Sequence, residues 1–140
     1  MSEVRCLTEP ELEALVNAAM GRTPFTMLLR NPTLTNVVTA ETHPADIGIL
    51  GGRVAYVGPV GKASLRGRKE LDLEGRYVAP RLTDAHLHVE SSMLTPPRFA
   101  ESVVPHGTTT AAIDPHEIAN VLGKDGVRMM LESSEGLPMR

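Results

Sequence analysis

Apolar residues at Leu12, Leu15, Val16 and Ala19 recur at i, i+3, i+4 and i+7, the spacing of one helical face. Thr8-Glu9-Pro10-Glu11 just before them has the form of a capping box with proline in the first turn, and Gly21 supplies a stop. The pattern predicts a helical segment within residues 1–24, either plain packing or a cover for a larger body. From Phe25 the period shortens to that of strands. Met27-Leu28-Leu29 is extended, Asn31-Pro32 turns, residues 33–38 are rich in β-formers, and Thr42-His43-Pro44 reads as a second turn. His43 beside a proline is thus a turn residue rather than a ligand. Residues 47–50 and 53–57 flank Gly51-Gly52, a two-residue hairpin signal, and residues 70–73 form one more strand. Residues 25–77 therefore read as a small β segment.

After Arg76 the pattern changes to alternating strands and helices. A short apolar run begins a strand near Val78 and leads into Asp84-Ala85-His86-Leu87-His88. Thr95-Pro96-Pro97 starts a helix whose buried stripe is Phe99, Val103 and Val104, and Pro105-His106-Gly107 ends it. His106 at that helix end reads as structural. Residues 108–114 are a second strand, rich in the β-branched residues that suit a buried parallel sheet. Asp114 then caps a short helix over residues 115–122 with Ile118, Val121 and Leu122 inward. Asp125 caps a last helix with Val127, Met130 and Leu131 inward and Gly136 closing it. Met129, Met130 and Met139 are fillers. Strand, helix, parallel strand is the crossover unit of an α/β fold.

The chemistry lies where the first of these strands ends. Side chains alternate along a strand, so Asp84, His86 and His88 point the same way. Two neutral imidazoles so placed can hold one divalent ion of zinc, iron or manganese type. Asp84 can orient one of the rings from behind, or make a polar contact inside the strand. Glu90 has the same parity and either lines the pocket or orders its loop. His88-Val89-Glu90 also matches the His-x-Glu of cytidine-deaminase-like zinc sites, but those need Pro-Cys-x-x-Cys, and Cys6 is the one cysteine here. Ser91 and Ser92 read as loop hydrogen bonders, since no serine–histidine–acid trio is evident.

Composition changes the picture little. Hydrophobic residues are 41% and charged residues 22%, which argues for a folded rather than disordered chain. A formal net charge of −3 offers no basic patch for nucleic acid or an anionic membrane, and four aromatic-ring residues (two Tyr, two Phe) make no base-stacking platform. No window approaches a bilayer span, and the first residues lack a signal peptide's apolar core. A single cysteine fits a cytoplasmic location.

The words DAHLHVESSMLT at 84–95 and PHGTTTAAIDPHEIANVLG at 105–123 closely resemble the adenine deaminases of the amidohydrolase superfamily. The resemblance extends more loosely over nearly the whole chain. It implies a metal-dependent hydrolase of purine salvage or catabolism, in which an ion-activated water attacks C6 of adenine to give hypoxanthine and ammonia. It implies His86 and His88 as metal ligands; strand parity puts Asp84 behind them, and position at the strand ends makes Glu90, His116 and Glu117 candidates for the substrate side. His116 and Glu117 could touch either metal or purine. The ion implied is Mn2+ or Fe2+, with Zn2+ also compatible, and the complete enzyme is expected to be a homo-oligomer.

The fold implied is α/β: the N-terminal helix and partial β domain, then, over residues 78–140, the first two β/α units of an incomplete (β/α)8 barrel. Such a barrel takes about 250 residues and draws its catalytic groups from several strand ends, whereas this chain has 140 residues and stops where a third strand should begin. The family's acid/base carboxylate is accordingly expected outside this chain. Two imidazoles alone are expected to hold metal weakly and give no turnover. Two other readings stand beside this one: a non-catalytic remnant that folds partly or with a partner, and another amidohydrolase acting on cyclic amides or acyl groups. Relatives usually carry Pro-Gly before two hydrophobic residues ahead of the histidine word, whereas this chain has Pro80-Arg81-Leu82-Thr83. Arg81 in place of glycine is expected to strain the strand entry.

Overall fold

The computed structural model describes residues 6–140, so the first five residues of the expected helical segment lie outside the description. The chain divides into two compact units, Met1–Pro80 and Arg81–Arg140.

In the first unit, helix α1 (Glu9–Ala19) opens as its sequence predicts, with the Glu11 carboxylate accepting from the Thr8 backbone N–H at 2.8 Å. Gly21, in the left-handed region at φ 76°, follows its last turn. The buried side differs from the predicted stripe. Ala18 is fully buried, whereas Leu12 and Val16 remain about half exposed (54% and 50%). Periodicity locates an apolar face, but the neighbours decide which edge of it is covered.

Strands β1 (Phe25–Arg30), β2 (Thr33–Asn36), β3 (Glu41–Pro44), β4 (Asp46–Leu50), β5 (Arg53–Gly58), β6 (Gly67–Asp72) and β7 (Tyr77–Val78) build two sheets, ordered β5-β4-β1-β6 and β3-β2-β7. Gly51 and Gly52, both at positive φ, make the expected hairpin between β4 and β5. The expected turn at Thr42-His43-Pro44 is instead strand β3, where His43 pairs with Leu34. The turn lies earlier, at residues 37–40. There the Asn36 side-chain oxygen accepts from the Val38 and Thr39 N–H groups at 3.0 and 3.4 Å, and Ala40 takes φ 58°.

Ala18, Phe25, Leu28 and Leu65 form the core of this unit. Gly48 lies directly against the Phe25 ring: a Cβ there would overlap Phe25 Cζ. Gly48→Ala should therefore destabilise this unit by about 1–3 kcal/mol, as overpacking does. Both tyrosines, Tyr56 and Tyr77, fall in this unit and the chain has no tryptophan, so urea unfolding followed by tyrosine fluorescence reads the effect.

The strand expected from Val78 onward is two separate elements. Tyr77–Val78 is β7, paired parallel with β2 in the first unit. Pro80, which has no N–H to give a ladder, lies in the break, and strand β8 (Leu82–Leu87) starts beyond it in the second unit. Arg81 does not take the left-handed backbone angle that would call for glycine: the non-glycine residues at positive φ among those described are Asn31, Ala40, Glu74 and Met93.

In the second unit, β8 pairs parallel with β9 (Thr108–Ile113) across helix α2 (Pro96–Val103). Helices α3 (His116–Leu122) and α4 (Lys124–Ser133) follow. Pro96 and Ala100 are the fully covered residues of α2, with Phe99, Val103 and Val104 half-buried. Two predicted caps are not made. Helix α3 begins at His116 with no side-chain cap bond, and Asp125 sits inside the first turn of α4, 3.7 Å from Arg128. Val121 and Leu122 are exposed rather than inward, as is Leu131, while Met130 and Gly126 carry the contact of α4. Beyond α4, the Arg140 N–H donates to the Thr109 carbonyl at 2.9 Å and its carbonyl accepts from the Ala111 N–H at 2.7 Å. That is the bond pattern of a parallel strand joining β9.

Among the described residues no helix is long and apolar enough to cross a membrane.

Candidate metal centre

The site is built where β8 and β9 end side by side. The Asp114 N–H donates to the Leu87 carbonyl at 3.1 Å, which sets the residue after β9 level with the residue after β8. His86 lies near the end of β8, and His88 follows the strand directly. The two rings meet edge to face with centroids 4.8 Å apart, and the His116 ring stands against His88 in the same way at 4.6 Å. Three imidazoles therefore stand in a row, with His88 in the middle.

Two overlapping sets of donors converge here. His86, His88 and Asp114 form one, and His88, His116 and Glu117 the other; within each set the ligand atoms lie within 4.8 Å of one another. His88 is half-buried, and His86 and Asp114 are exposed. His88 Nδ1 lies 2.8 Å from the Asp114 backbone carbonyl. A carbonyl only accepts, so Nδ1 carries the ring proton and the Nε2 lone pair is left for an ion. Two imidazoles and a carboxylate suit a divalent transition ion, and three protein ligands match a catalytic centre with a position open to water. The residues present fit a metal.

The other sequence candidates have specific places. The Asp84 carboxylate accepts from the backbone N–H of His86 at 3.1 Å, so its polar contact lies within its own strand rather than on an imidazole. Glu90 begins a short 3-10 turn (Glu90–Ser92), and its Oε1 accepts from the Ile118 N–H at 3.3 Å. Its Oε2 is buried with no hydrogen-bond partner. Ser91 Oγ donates to Glu117 Oε1 at 2.6 Å, and Ser92 Oγ to the Val89 carbonyl at 2.6 Å, so both serines order the loop as expected. Asp114, expected to cap a helix, instead turns its carboxylate to His116 Nδ1 at 3.1 Å. Its place beside the histidine pair was missed. The available signal was its position one residue past a parallel strand, on the side where such sheets build their sites.

Residues 77–140 match the family model described as the amidohydrolase family. Over 127 residues, or 89% of this chain, the sequence is 51% identical to "Adenine deaminase 3" of Rhizobium meliloti, of which it spans 21%. It is 47% identical over 135 residues to the adenine deaminase of Serratia proteamaculans, covering 96% of this chain and 22% of that protein. The chain thus spans about a fifth of the length of the curated relatives it matches. Among solved structures, the L-hydantoinase (dihydropyrimidinase) from Arthrobacter aurescens superposes with a TM-score of 0.55 at 24% identity, over 65% of this chain and 21% of that one. That likeness concerns the fold alone.

Proposed function

Residues 77–140 belong to the amidohydrolase family, and on that premise we propose that the chain is the N-terminal part of an adenine deaminase. The reaction adds water to adenine at C6, forms a C6–O bond, breaks the C6–N bond, and releases ammonia with hypoxanthine. The observation that carries this reading is the convergence of His86, His88 and Asp114 at adjoining strand ends, in a chain 51% identical over 127 residues to an adenine deaminase.

In this reading His86 and His88 bind a divalent ion, Mn2+ or Fe2+ by preference and Zn2+ by compatibility of donors. The ion, when bound, supplies the Lewis acidity that makes water nucleophilic at neutral pH. His88 presents Nε2 because the Asp114 carbonyl holds its Nδ1 proton. Asp84 steadies the strand end through the His86 N–H rather than by orienting a ring. Glu90 contacts the purine: its buried, unpartnered Oε2 is an acceptor in want of a donor, and adenine offers N–H groups. His116 and Glu117 stand on the same rim, within reach of ion or purine. The acid/base carboxylate and the remaining ligands are contributed outside this chain.

The fold that goes with this function is the opening of a (β/α)8 barrel, with β8 and β9 as its first two strands. The parallel pairing of Arg140 with β9 supports a third strand there. A cytoplasmic location and a homo-oligomeric complete enzyme belong to the same reading. Adenine incubated with a metal-loaded protein that continues this chain to its relatives' length should yield hypoxanthine and ammonia in equal amounts. If that protein leaves adenine untouched and opens a cyclic amide instead, the assignment is wrong.

A further inference from the structure

We propose that the cavity between the end of α1 and the loop before β6 binds a phosphate dianion, either free or as the head of a small phosphate ester. The site lies wholly in the first unit, and the proposal does not rest on the reading given to the histidine centre.

The cavity holds about 230 Å3 and is lined by Gly21, Arg22, Thr23, Pro24 and Arg66. Two of its five side chains are guanidiniums, one is a hydroxyl and none is acidic. Arg22 fixes one end of its fork by donating from Nη1 to the Asn17 side-chain oxygen at 3.1 Å, which leaves its other N–H groups over. The Arg66 side chain has no hydrogen-bond or ion-pair partner among the described residues. A guanidinium left in this state matches a pair of phosphate oxygens with two parallel N–H···O bonds. Drug-sized pockets run to about 300–1,000 Å3, so this smaller one takes a compact anion rather than a whole nucleotide.

The surroundings favour negative charge. No Asp or Glu occurs between Glu13 and Glu41, or between Asp46 and Glu70, and the second of these stretches adds Lys62, Arg68 and Lys69 beside Arg66. Glu70, the first acid beyond it, is already engaged, with Oε2 accepting from Arg30 at 3.1 Å and Oε1 from the Gly67 N–H at 2.9 Å. The chain's net charge of −3 hides this local excess of cations. The walls are also fixed in advance. Gly21 comes so close to the facing loop that a Cβ would meet the Ser64 carbonyl oxygen at 2.8 Å. The Phe25 N–H donates to the Arg66 carbonyl at 2.8 Å, and Arg30 holds the Leu65 carbonyl at 2.8 Å. Both arginines therefore stand on backbone that is ordered before an anion arrives, which lowers the entropic cost of binding.

The test is a titration of the full 140-residue chain with inorganic phosphate at fixed pH and ionic strength, followed by amide NMR. Saturable shifts should appear at Gly21, Arg22, Thr23 and Arg66 and leave the Gly51-Gly52 hairpin unmoved. Arg66→Ala should weaken binding by about tenfold or more, as loss of a charge-assisted hydrogen bond does. Arg66→Lys keeps the charge but not the fork, and should still bind several-fold more weakly than the unaltered chain. Arg53→Ala removes an equal charge from the β4–β5 hairpin, outside the cavity, and should change nothing. Glycerol 3-phosphate in the same titration separates the two sources: tighter binding than phosphate assigns the site to an ester, and binding no tighter assigns it to the free ion. The proposal is overturned if no saturable shift appears, or if shifts spread evenly over the basic residues. It is equally overturned if Arg53→Ala weakens binding as much as Arg66→Ala, because the attraction is then diffuse and salt-screened rather than a site.

Discussion

Replacing either His86 or His88 with alanine, in a protein that continues this chain to the length of its relatives, should cut adenine deamination more than about a hundredfold. A lost metal ligand should cost at least what a lost outer-shell partner does, about 10- to 100-fold, and under the proposed function catalysis depends on an ion placed to activate water. The two variants should differ in what they bind. His88 belongs to both donor sets, so His88→Ala should lose metal and activity together. His86 belongs to one, so His86→Ala should lose activity while keeping part of its metal affinity through the donors that remain. Metal analysis of the purified variants beside initial rates of ammonia release separates the two effects. Full activity in the His88→Ala protein would sink the metal assignment.

The parts of the fold legible in the sequence are those decided within a few residues. Gly51-Gly52 made its hairpin because two adjacent positions at positive φ suit glycine and match the twist of paired strands. Pro80 marks a strand break for an equally local reason. The residues misjudged were those whose place depends on distant partners. Val78 reads as the start of the strand leading to His86, but it lies in β7 because Thr33 and Leu34 offer that pair an edge. Residues 42–44 resemble a turn, yet Asn36 closes the chain earlier and delivers them to β2 as a strand. Leu12 and Val16 have helical spacing, but the sheet packs against Ala18 instead.

The candidate site divides along the same line. Strand alternation alone brings His86 and His88 to one place. Asp114 lies 26 positions from His88 and meets it only because β8 and β9 run parallel and end together. Its sequence context, an aspartate ahead of Pro115 and a helix, favours a cap, and that local preference masked its contact with His116. Asp84 was left open between an imidazole and a contact inside its strand, because parity fixes only its face; its carboxylate accepts from the His86 N–H.

Asp46→Ala is expected to destabilise the first unit by about 3–5 kcal/mol, the cost of breaking a buried ion pair from one side. Asp46 is fully buried, and its carboxylate accepts from Arg30 at 2.9 Å, from the Asn31 N–H at 3.1 Å and from the Gly61 N–H at 3.0 Å. Arg30 spends its other donors on Glu70 at 3.1 Å and the Leu65 carbonyl at 2.8 Å. Removing the carboxylate leaves a largely buried guanidinium and two backbone donors short of a partner. The same network sets a pH dependence. Burial alone would push the Asp46 carboxyl up, but the bonds from Arg30, Asn31 and Gly61 outweigh it and hold it below the ordinary range. The Gly67 N–H, then Arg30, lowers Glu70; the Glu74 N–H, then the Asn31 amide, lowers Asp72. A carboxyl depressed in the folded state stabilises fully above its unfolded pKa, about 4, and that contribution is lost as pH falls through the folded value. Urea midpoints read by tyrosine fluorescence should therefore hold steady near neutrality and fall below about pH 4. In Asp46→Asn that fall should be shallower, because one of the three titrating groups is gone. An acid limb as steep as that of the unaltered chain would show that Asp46 is not the group responsible.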